Sequence, residues 1–401
     1  MLPTLTGRRV LELGGYVASP FATNMLAHLG AEVIKIESVE GDPTRKMVRD
    51  GPSGTFIAFS VGKKSICIDL RSAAGLEVFE RLLATADIVV NNLAPESARR
   101  LKVTYEDCVK VRPQIVHCQI RGYGPGPLEN AIASNPIIEA STGSMFANKI
   151  NGRPTRFGPP YLDMFAGMYA VIGILGAIAA DTVHEKSHRI EVGLFETGMF
   201  INGREYAGAQ LHERHAPGSS RSAAGEFTKP GYGAYKTQDD RWIYLLLLSN
   251  NHWARFCKTM ELAEADDASL KTMHDRQQQR ARVEKIVSST VAGMSYEQVA
   301  EKLDTANVGY TEVMPFDKVL EQPQAGQPGK TRTSLFKGQE FALPNFPVAS
   351  ENFLSGLDAP PPELGQHTVD LVKSLGYSDA QCEALLGSGA VNAHGHMPAN
   401  G

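Results

Sequence analysis

A carboxylate set at the start of an apolar helix pattern is the arrangement in this chain that carries the most chemistry. In Arg156-Phe-Gly-Pro-Pro-Tyr-Leu-Asp163 a double proline precedes the acid, and the small, apolar run Met164 to Ala180 follows at once. The prolines turn the chain sharply, and the helical pattern behind them puts Asp163 at a helix N-terminus. Two roles fit that position. As an N-cap, the carboxylate accepts hydrogen bonds from the first free N–H groups of the helix. As a nucleophile it must be ionised at neutral pH, which the positive end of the helix dipole favours. Local sequence leaves cap and catalyst both open.

Other groups offer less. Gly14-Gly15 after a first apolar run, with Glu37 further on, looks superficially like a dinucleotide-binding turn, but the spaced Gly-x-Gly-x-x-Gly is missing and Pro20 stands where a close-approach glycine is wanted. His212-Glu-Arg-His215 is not a His-Glu-x-x-His pair, and no third ligand is in register, so no metal site is expected. A Gly-x-Ser-x-Gly elbow and a phosphate loop are also absent. Arg45, Arg71, Arg99 and Arg100 fall in successive β-α connections and together suit a polyanion such as a nucleotide diphosphate, although each alone reads as a solvated charge. Asn92, at a strand end, either bonds that ligand or forms a turn.

Composition narrows the class. With 40 Lys+Arg against 44 Asp+Glu, the net charge of -4 argues against broad attraction to nucleic acid or an anionic membrane. No stretch of about 20 residues reads as a spanning segment, and the N-terminus lacks a signal pattern. The expectation is a soluble, cytoplasmic protein. The five cysteines, Cys67, Cys108, Cys118, Cys257 and Cys382, are scattered and read as reduced thiols.

The elements that must position these groups alternate. Val10–Leu13, Ala31–Glu37, Ser65–Leu70, Ala86–Val90 and Gln114–Ile120 read as strands, with helices over Pro20–Leu29, Gly75–Ala84 and Glu106–Val111 between them. This rhythm predicts an α/β fold with a mostly parallel sheet and a ligand at the carboxyl ends of the strands. After the helix to Ala180 come a strand-like run Arg189–Phe195 and helical pattern to His215. The Gly- and Ser-rich stretch 216–234 reads as a linker, and 235–324 as a small α+β domain holding a strand Trp242–Leu248 and helices His252–Met260, Arg276–Val291 and Tyr296–Asp304. From Gln322 the chain reads as an extended return path with helices near Thr368–Leu375 and Asp379–Leu386, and Ser388–Gly401 reads as disordered.

Taken together, several segments resemble the class III coenzyme A transferases of CaiB/BaiF type, which include formyl-CoA transferase and carnitine CoA-transferase and are related to α-methylacyl-CoA racemase. The matching residues are Leu5-x-Gly7-x-x-Val10-Leu11, Ala18-x-Pro20, Leu29-Gly-Ala-Glu-Val-Ile-Lys-Ile-Glu37, Gly41-Asp-x-x-Arg45, Lys63-Lys-Ser65, Asp69-Leu70 and Ala86-Asp87 with Asn92. Further along they are Arg121-Gly-Tyr-Gly124, Gly126-Pro127, Arg156-x-Gly158, Asp163-x-x-Ala-Gly167, Leu364-Gly-Gln-His-Thr368 and Leu375-Gly-Tyr377. The ordered set covers nearly the whole chain. The resemblance implies a Rossmann-like large domain built from 1–215 and 325–401, a small domain over 235–324, and an interlocked homodimer. It also implies that Asp163 is the nucleophile. It attacks a donor acyl-CoA to give a mixed anhydride, and returning CoA thiolate gives an aspartyl-CoA thioester. CoA is then a substrate, with no permanently bound cofactor.

Carried over by position, Tyr16, Val17 and Ala18 are expected at the CoA and acyl site, Asn92 nearby, and Arg71 and Arg100 at the CoA phosphates. The segment 218–233 is the expected lid, Ser134, Asn135, Arg156 and Tyr161 are expected at the acyl or acid pocket, and Tyr16, Val17, Phe157, Tyr161 and Leu162 suggest that this pocket is partly apolar. Its substrate is expected to be a medium-sized organic acid such as a dicarboxylate held by Arg156. Three departures weaken oxalate and formate as substrates: Val17 in place of a glutamine, Ser19 in place of a glycine, and no consecutive lid glycines. A racemase needs two acid/base groups around the α-carbon. Where the racemase pattern carries Gly-His-Asp, this chain has Ala133-Ser134-Asn135, and neither Ser134 nor Asn135 ionises at neutral pH. A non-catalytic CoA-binding protein is disfavoured because Asp163 is present.

Overall fold

The computed structural model describes residues 4–48, 51–180, 186–215, 229–348, 357 and 359–395. Two compact units divide the chain, one of Met1–Gly203 with Gln327–Gly401 and the other of Arg204–Gly326. The first begins with β1 (Arg9–Leu13), α1 (Ala18–His28), β2 (Glu32–Glu37), β3 (Lys64–Ile68), α2 (Ala73–Leu83), β4 (Ile88–Asn91) and β5 (Val116–Arg121). It continues through α3 (Asn135–Ser141), α4 (Tyr161–Ala180) and β6 (His188–Gly193), and closes with β7 (Val391–Asn392). These strands form one sheet in the order β7-β3-β2-β1-β4-β5-β6, all parallel except β7. The central order 3-2-1-4-5 is that of a Rossmann-type sheet, whose strand order reverses between β1 and β4.

The central strands are mostly apolar because both sheet faces are covered. Successive side chains point to opposite faces, so Val10, Val33 and Val90 join α1 and α4 in one core, while Leu11, Ile34 and Val89 join α2 and the C-terminal helices in another. Those last helices, Thr368–Ser374 and Asp379–Gly387, bring the end of the chain back to β3, where Thr368 Oγ1 accepts from the Cys67 N–H at 3.1 Å. The second unit is a three-stranded antiparallel sheet, Tyr232–Lys236, Trp242–Leu246 and Tyr310–Glu312, with helices packed around Trp253, Phe256, Val287 and Leu303.

Several expectations are corrected. The strand expected to run to Phe195 stops at Gly193, and Leu194 opens a helix. The helix expected over Arg276–Val291 is two, because Gln279 leaves helical geometry at φ −106° and ψ 32° and Arg276 is drawn into the core to donate to the Leu270 and Lys271 carbonyls. The return path holds a β-hairpin, Thr331–Phe336 paired with Gln339–Pro344. The described part of the tail is structured: Ala390 and Val391 are buried, and the backbone of β7 pairs with β3 and covers that free strand edge. Finally, α4 is by length and composition apolar enough to cross a membrane, against the expectation that no segment is. Its buried side packs on α1 through Ala166, Gly167 and Ala170. The linker and lid residues 216–228 lie outside the described residues.

Candidate active site

At the carboxyl ends of the central strands lies a cavity of about 390 Å³. Its wall comes from four consecutive connections: Gly14, Gly15 and Tyr16 after β1, Ser38 to Pro43 after β2, Asp69 to Arg71 after β3, and Leu93, Arg100 and Leu101 after β4. The strand order reverses here, and the diverging connections leave a crevice there. Of the expected residues, Tyr16, Arg71 and Arg100 line it. Arg71 is well exposed and its Nε donates to Asp69 at 2.8 Å, which fixes the guanidinium at the rim. Arg45 is not available to a phosphate: both its Nε and a terminal nitrogen bind Glu37 at 2.7 Å, and it stacks over Phe56.

Val17, Ala18 and Asn92 stand elsewhere. Ala18 is buried at the start of α1 in the core, so no side-chain contact with a cavity ligand is open to it. Val17 occupies the N-cap position of α1, where it supplies no side-chain cap. Asn92 is turned onto the loop backbone, its Nδ2 donating to the Gly15 carbonyl at 2.8 Å and its Oδ1 accepting from the Gly15 N–H at 3.1 Å.

The second turn of α4 is adjacent to the first turn of α1. Gly167 makes this approach possible, since a Cβ there would sit 2.9 Å from the Ala18 carbonyl oxygen. Asp163, one turn earlier, is the third residue of α4 and not its cap. The cap comes from Asn135, whose Oδ1 accepts from the Leu162 N–H at 3.0 Å and from the Asp163 N–H at 3.4 Å. Asn135 is itself held by Glu139, whose Oε1 accepts from Asn135 Nδ2 at 2.5 Å while its Oε2 accepts from the Phe157 N–H at 2.9 Å. Asn135 and Glu139 are both buried, one helical turn apart on α3. Another side chain therefore caps the helix, and the Asp163 carboxyl is not its cap.

Burial, with the Glu139 carboxylate second, pushes the Asp163 carboxyl up to about 6. That corrects the expectation of an acid eased into ionisation by the helix dipole alone. A group titrating there is still ionised at neutral pH and is more basic than an ordinary aspartate. Glu139 escaped the sequence reading; its only local signal is the i,i+4 spacing from Asn135. In the rest of the expected acid pocket, Leu162 is buried in the core, whereas Ser134, Arg156, Phe157 and Tyr161 are exposed. Arg156 donates to the Gly158 carbonyl at 3.4 Å.

Beneath the cavity floor lies an ionic cluster. Glu12 accepts from Lys35 and Lys63 at 2.6 Å each, Lys35 also reaches Asp42 at 2.7 Å, and all four side chains are buried. Burial alone would raise Glu12, but the two ammonium groups overcome it and hold the carboxyl down at about 2. Asp42 faces the loop above, where a Cβ on Gly15 would lie 3.0 Å from its carboxylate. Among the described residues no cluster suits a metal ion.

Residues 5–368 match the model of CoA-transferase family III. The chain is 28% identical to (R)-2-hydroxy-4-methylpentanoate CoA-transferase of Clostridioides difficile, over 94% of this chain and 96% of that one. It is 30% identical to succinyl-CoA:glutarate CoA-transferase of Mus musculus, over 97% and 91%. A CaiB/BaiF family protein from Brucella suis superposes with a TM-score of 0.84 at 24% identity, covering 94% of this chain and all of that one, which shows the shared fold. A Rossmann-type sheet with a cavity at its reversal point, and a family match that spans nearly the whole length, lead to one conclusion: the chain belongs to CoA-transferase family III.

Proposed function

We propose that this protein moves coenzyme A from an acyl-CoA donor to a free carboxylic acid through covalent intermediates on Asp163. The observation that carries the reading is a half-buried carboxyl, relieved of helix capping by Asn135 and titrating near 6, on a helix packed beside the start of α1. The Asp163 carboxylate adds to the thioester carbonyl and expels CoA thiolate, giving a mixed anhydride. The thiolate then attacks the aspartyl carbonyl, releases the donor's acid, and forms an aspartyl-CoA thioester. The acceptor carboxylate repeats the sequence in reverse order: it expels the thiolate to form a second anhydride, and the thiolate takes the acyl group and frees Asp163. Every step exchanges an acyl bond for an acyl bond, so no redox partner is needed.

Anhydrides hydrolyse readily, and the apolar run behind Asp163 keeps water away from it. Tyr16, Arg71 and Arg100 are the residues assigned to CoA, the two arginines to its phosphates. Relatives named for a branched 2-hydroxy acid and for succinate and glutarate support a medium-sized organic acid as acceptor. A homodimer accompanies this reading. The outer side of α4 and the helix after β6 expose Phe165, Met168, Ile172 and Phe200, an apolar surface suited to a second copy. Incubation with succinyl-CoA and a panel of carboxylic acids, followed by hydroxylamine trapping and peptide mass analysis, tests the mechanism. Modification of the peptide carrying Asp163 is expected, and turnover without it would exclude the covalent route.

A further inference from the structure

Lys63 is a buried ammonium that reaches out of one turn and ties two other elements together. It stands just before β3, in a turn held by the return path, since the Gly62 N–H donates to the Ala359 carbonyl at 2.9 Å. From there its Nζ donates to Glu12 of β1 at 2.6 Å, to the Pro20 carbonyl at 2.9 Å and to the Thr23 hydroxyl at 2.8 Å. The last two partners belong to α1, and the Thr23 hydroxyl donates in turn to Glu12. Three acceptors call for three protons, which only the charged form of lysine carries. The side chain is fully buried, so solvent does not stand in for a bond that is lost.

The part of α1 held in this way is the seat of the helix that carries Asp163. A Cβ on Gly167 would lie 2.9 Å from the Ala18 carbonyl oxygen, 3.1 Å from the Phe21 ring and 3.3 Å from the Ala22 nitrogen. Gly167 therefore rests directly on the first turn of α1, and Asp163 lies one turn before Gly167 on the same helix. Close-packed contacts of this kind transmit displacement. Resting on the transferase reading above, we infer that Lys63 is a positioning residue for the reaction: it fixes the first turns of α1 on β1 and, through the Gly167 contact, fixes where Asp163 meets the thioester. The tie responds to pH. Burial, opposed by Glu12 and aided by Lys35, brings the Lys63 ammonium down to about 8. The ionisable groups that face it are Glu12 of β1, Lys35 of β2 and Asp42 from the connection after β2, while α1 offers only the uncharged Pro20 carbonyl and Thr23 hydroxyl. Glu12 and Asp42 are held low and Lys35 high, which leaves Lys63 as the member of the cluster that gives up its proton on the alkaline side.

The test compares the wild type with Lys63→Met, which keeps the length of the side chain and removes its charge. At pH 7 kcat for transfer from succinyl-CoA should fall about tenfold, while KM for the thioester stays within about twofold. Wild-type kcat should decline above about pH 8, and the decline should be missing from Lys63→Met, in which the tie is already cut. Hydrogen–deuterium exchange read by peptide mass should be about tenfold faster in the variant over α1 and over 161–168, and unchanged in the second unit. Thr23→Val keeps every charge and removes one of the three acceptors. It should lower kcat about threefold, retain the alkaline decline and speed exchange over the same peptides, and it stands in for Lys63→Met should that variant not fold. An alkaline decline that is absent from the wild type or survives in Lys63→Met, or a loss carried by KM instead of kcat, overturns the proposal. If the wild type transfers CoA to no acid, the transferase reading fails, and the exchange experiment still decides whether Lys63 places the Asp163 helix: unchanged exchange over 161–168 overturns that as well.

Discussion

Asp163→Asn is expected to make the protein more stable while abolishing transfer. Burial and Glu139 lift the Asp163 carboxyl from 3.8 to about 6. At 1.36 kcal/mol per unit, ionising it in the folded state costs about 3 kcal/mol relative to the unfolded chain. The pH window follows from the two values. Below about pH 4 the carboxyl is protonated in both states and contributes no cost. Between about 4 and 6 the unfolded chain loses its proton first, so wild-type stability falls as pH rises. Above about 6 both states are ionised and the full cost is present. An asparagine has the same shape and never ionises, so the variant escapes the cost. Urea denaturation of both proteins at pH 8 and at pH 4 measures it. The variant should be more stable by about 3 kcal/mol at the higher pH and nearly equal at the lower, with turnover reduced by about 10⁴-fold. A variant no more stable than wild type at pH 8, or an advantage undiminished at pH 4, would refute the argument that Asp163 is held in an environment hostile to its charge.

The same acid should appear in the pH profile of kcat/KM as a limb near 6, below which activity falls, and Glu139→Gln should move that limb to lower pH by removing the second cause of the shift. Asn135→Ala removes the cap of α4 and should cost about 1 kcal/mol, read as a lower urea midpoint, together with a loss of kcat. Glu12→Gln leaves two buried ammonium groups facing a neutral side chain and should cost about 3–5 kcal/mol. Because Glu12 is held at about 2, its wild-type contribution is complete above the usual carboxylate range and is lost as pH falls towards that value, which acid denaturation followed by circular dichroism checks. Arg71→Ala and Arg100→Ala should each raise KM for CoA thioesters about tenfold, and added salt should weaken wild-type binding in the same direction.

The sequence by itself determined the alternation of strands and helices, the parallel sheet, the ligand edge and Asp163 at the start of an apolar helix. Each of these rests on periodicity or on turn residues, and both act over a few positions of chain. It misread Leu194 and the end of the chain at Val391 for a related reason: whether a short apolar segment is strand, helix or tail depends on which free edge or groove it meets. Only the tertiary structure decided that Asp163 does not cap its helix. Its helix is capped by Asn135, some 27 residues before Leu162, and its charge is opposed by Glu139. The Glu12 cluster joins residues up to 51 positions apart, and Asn92 reaches back 77 to Gly15. Hydrogen bonds and charges act through space within a few ångströms in a medium of low polarity. Only the folded chain therefore shows which side chain caps α4 and which charge opposes that of Asp163.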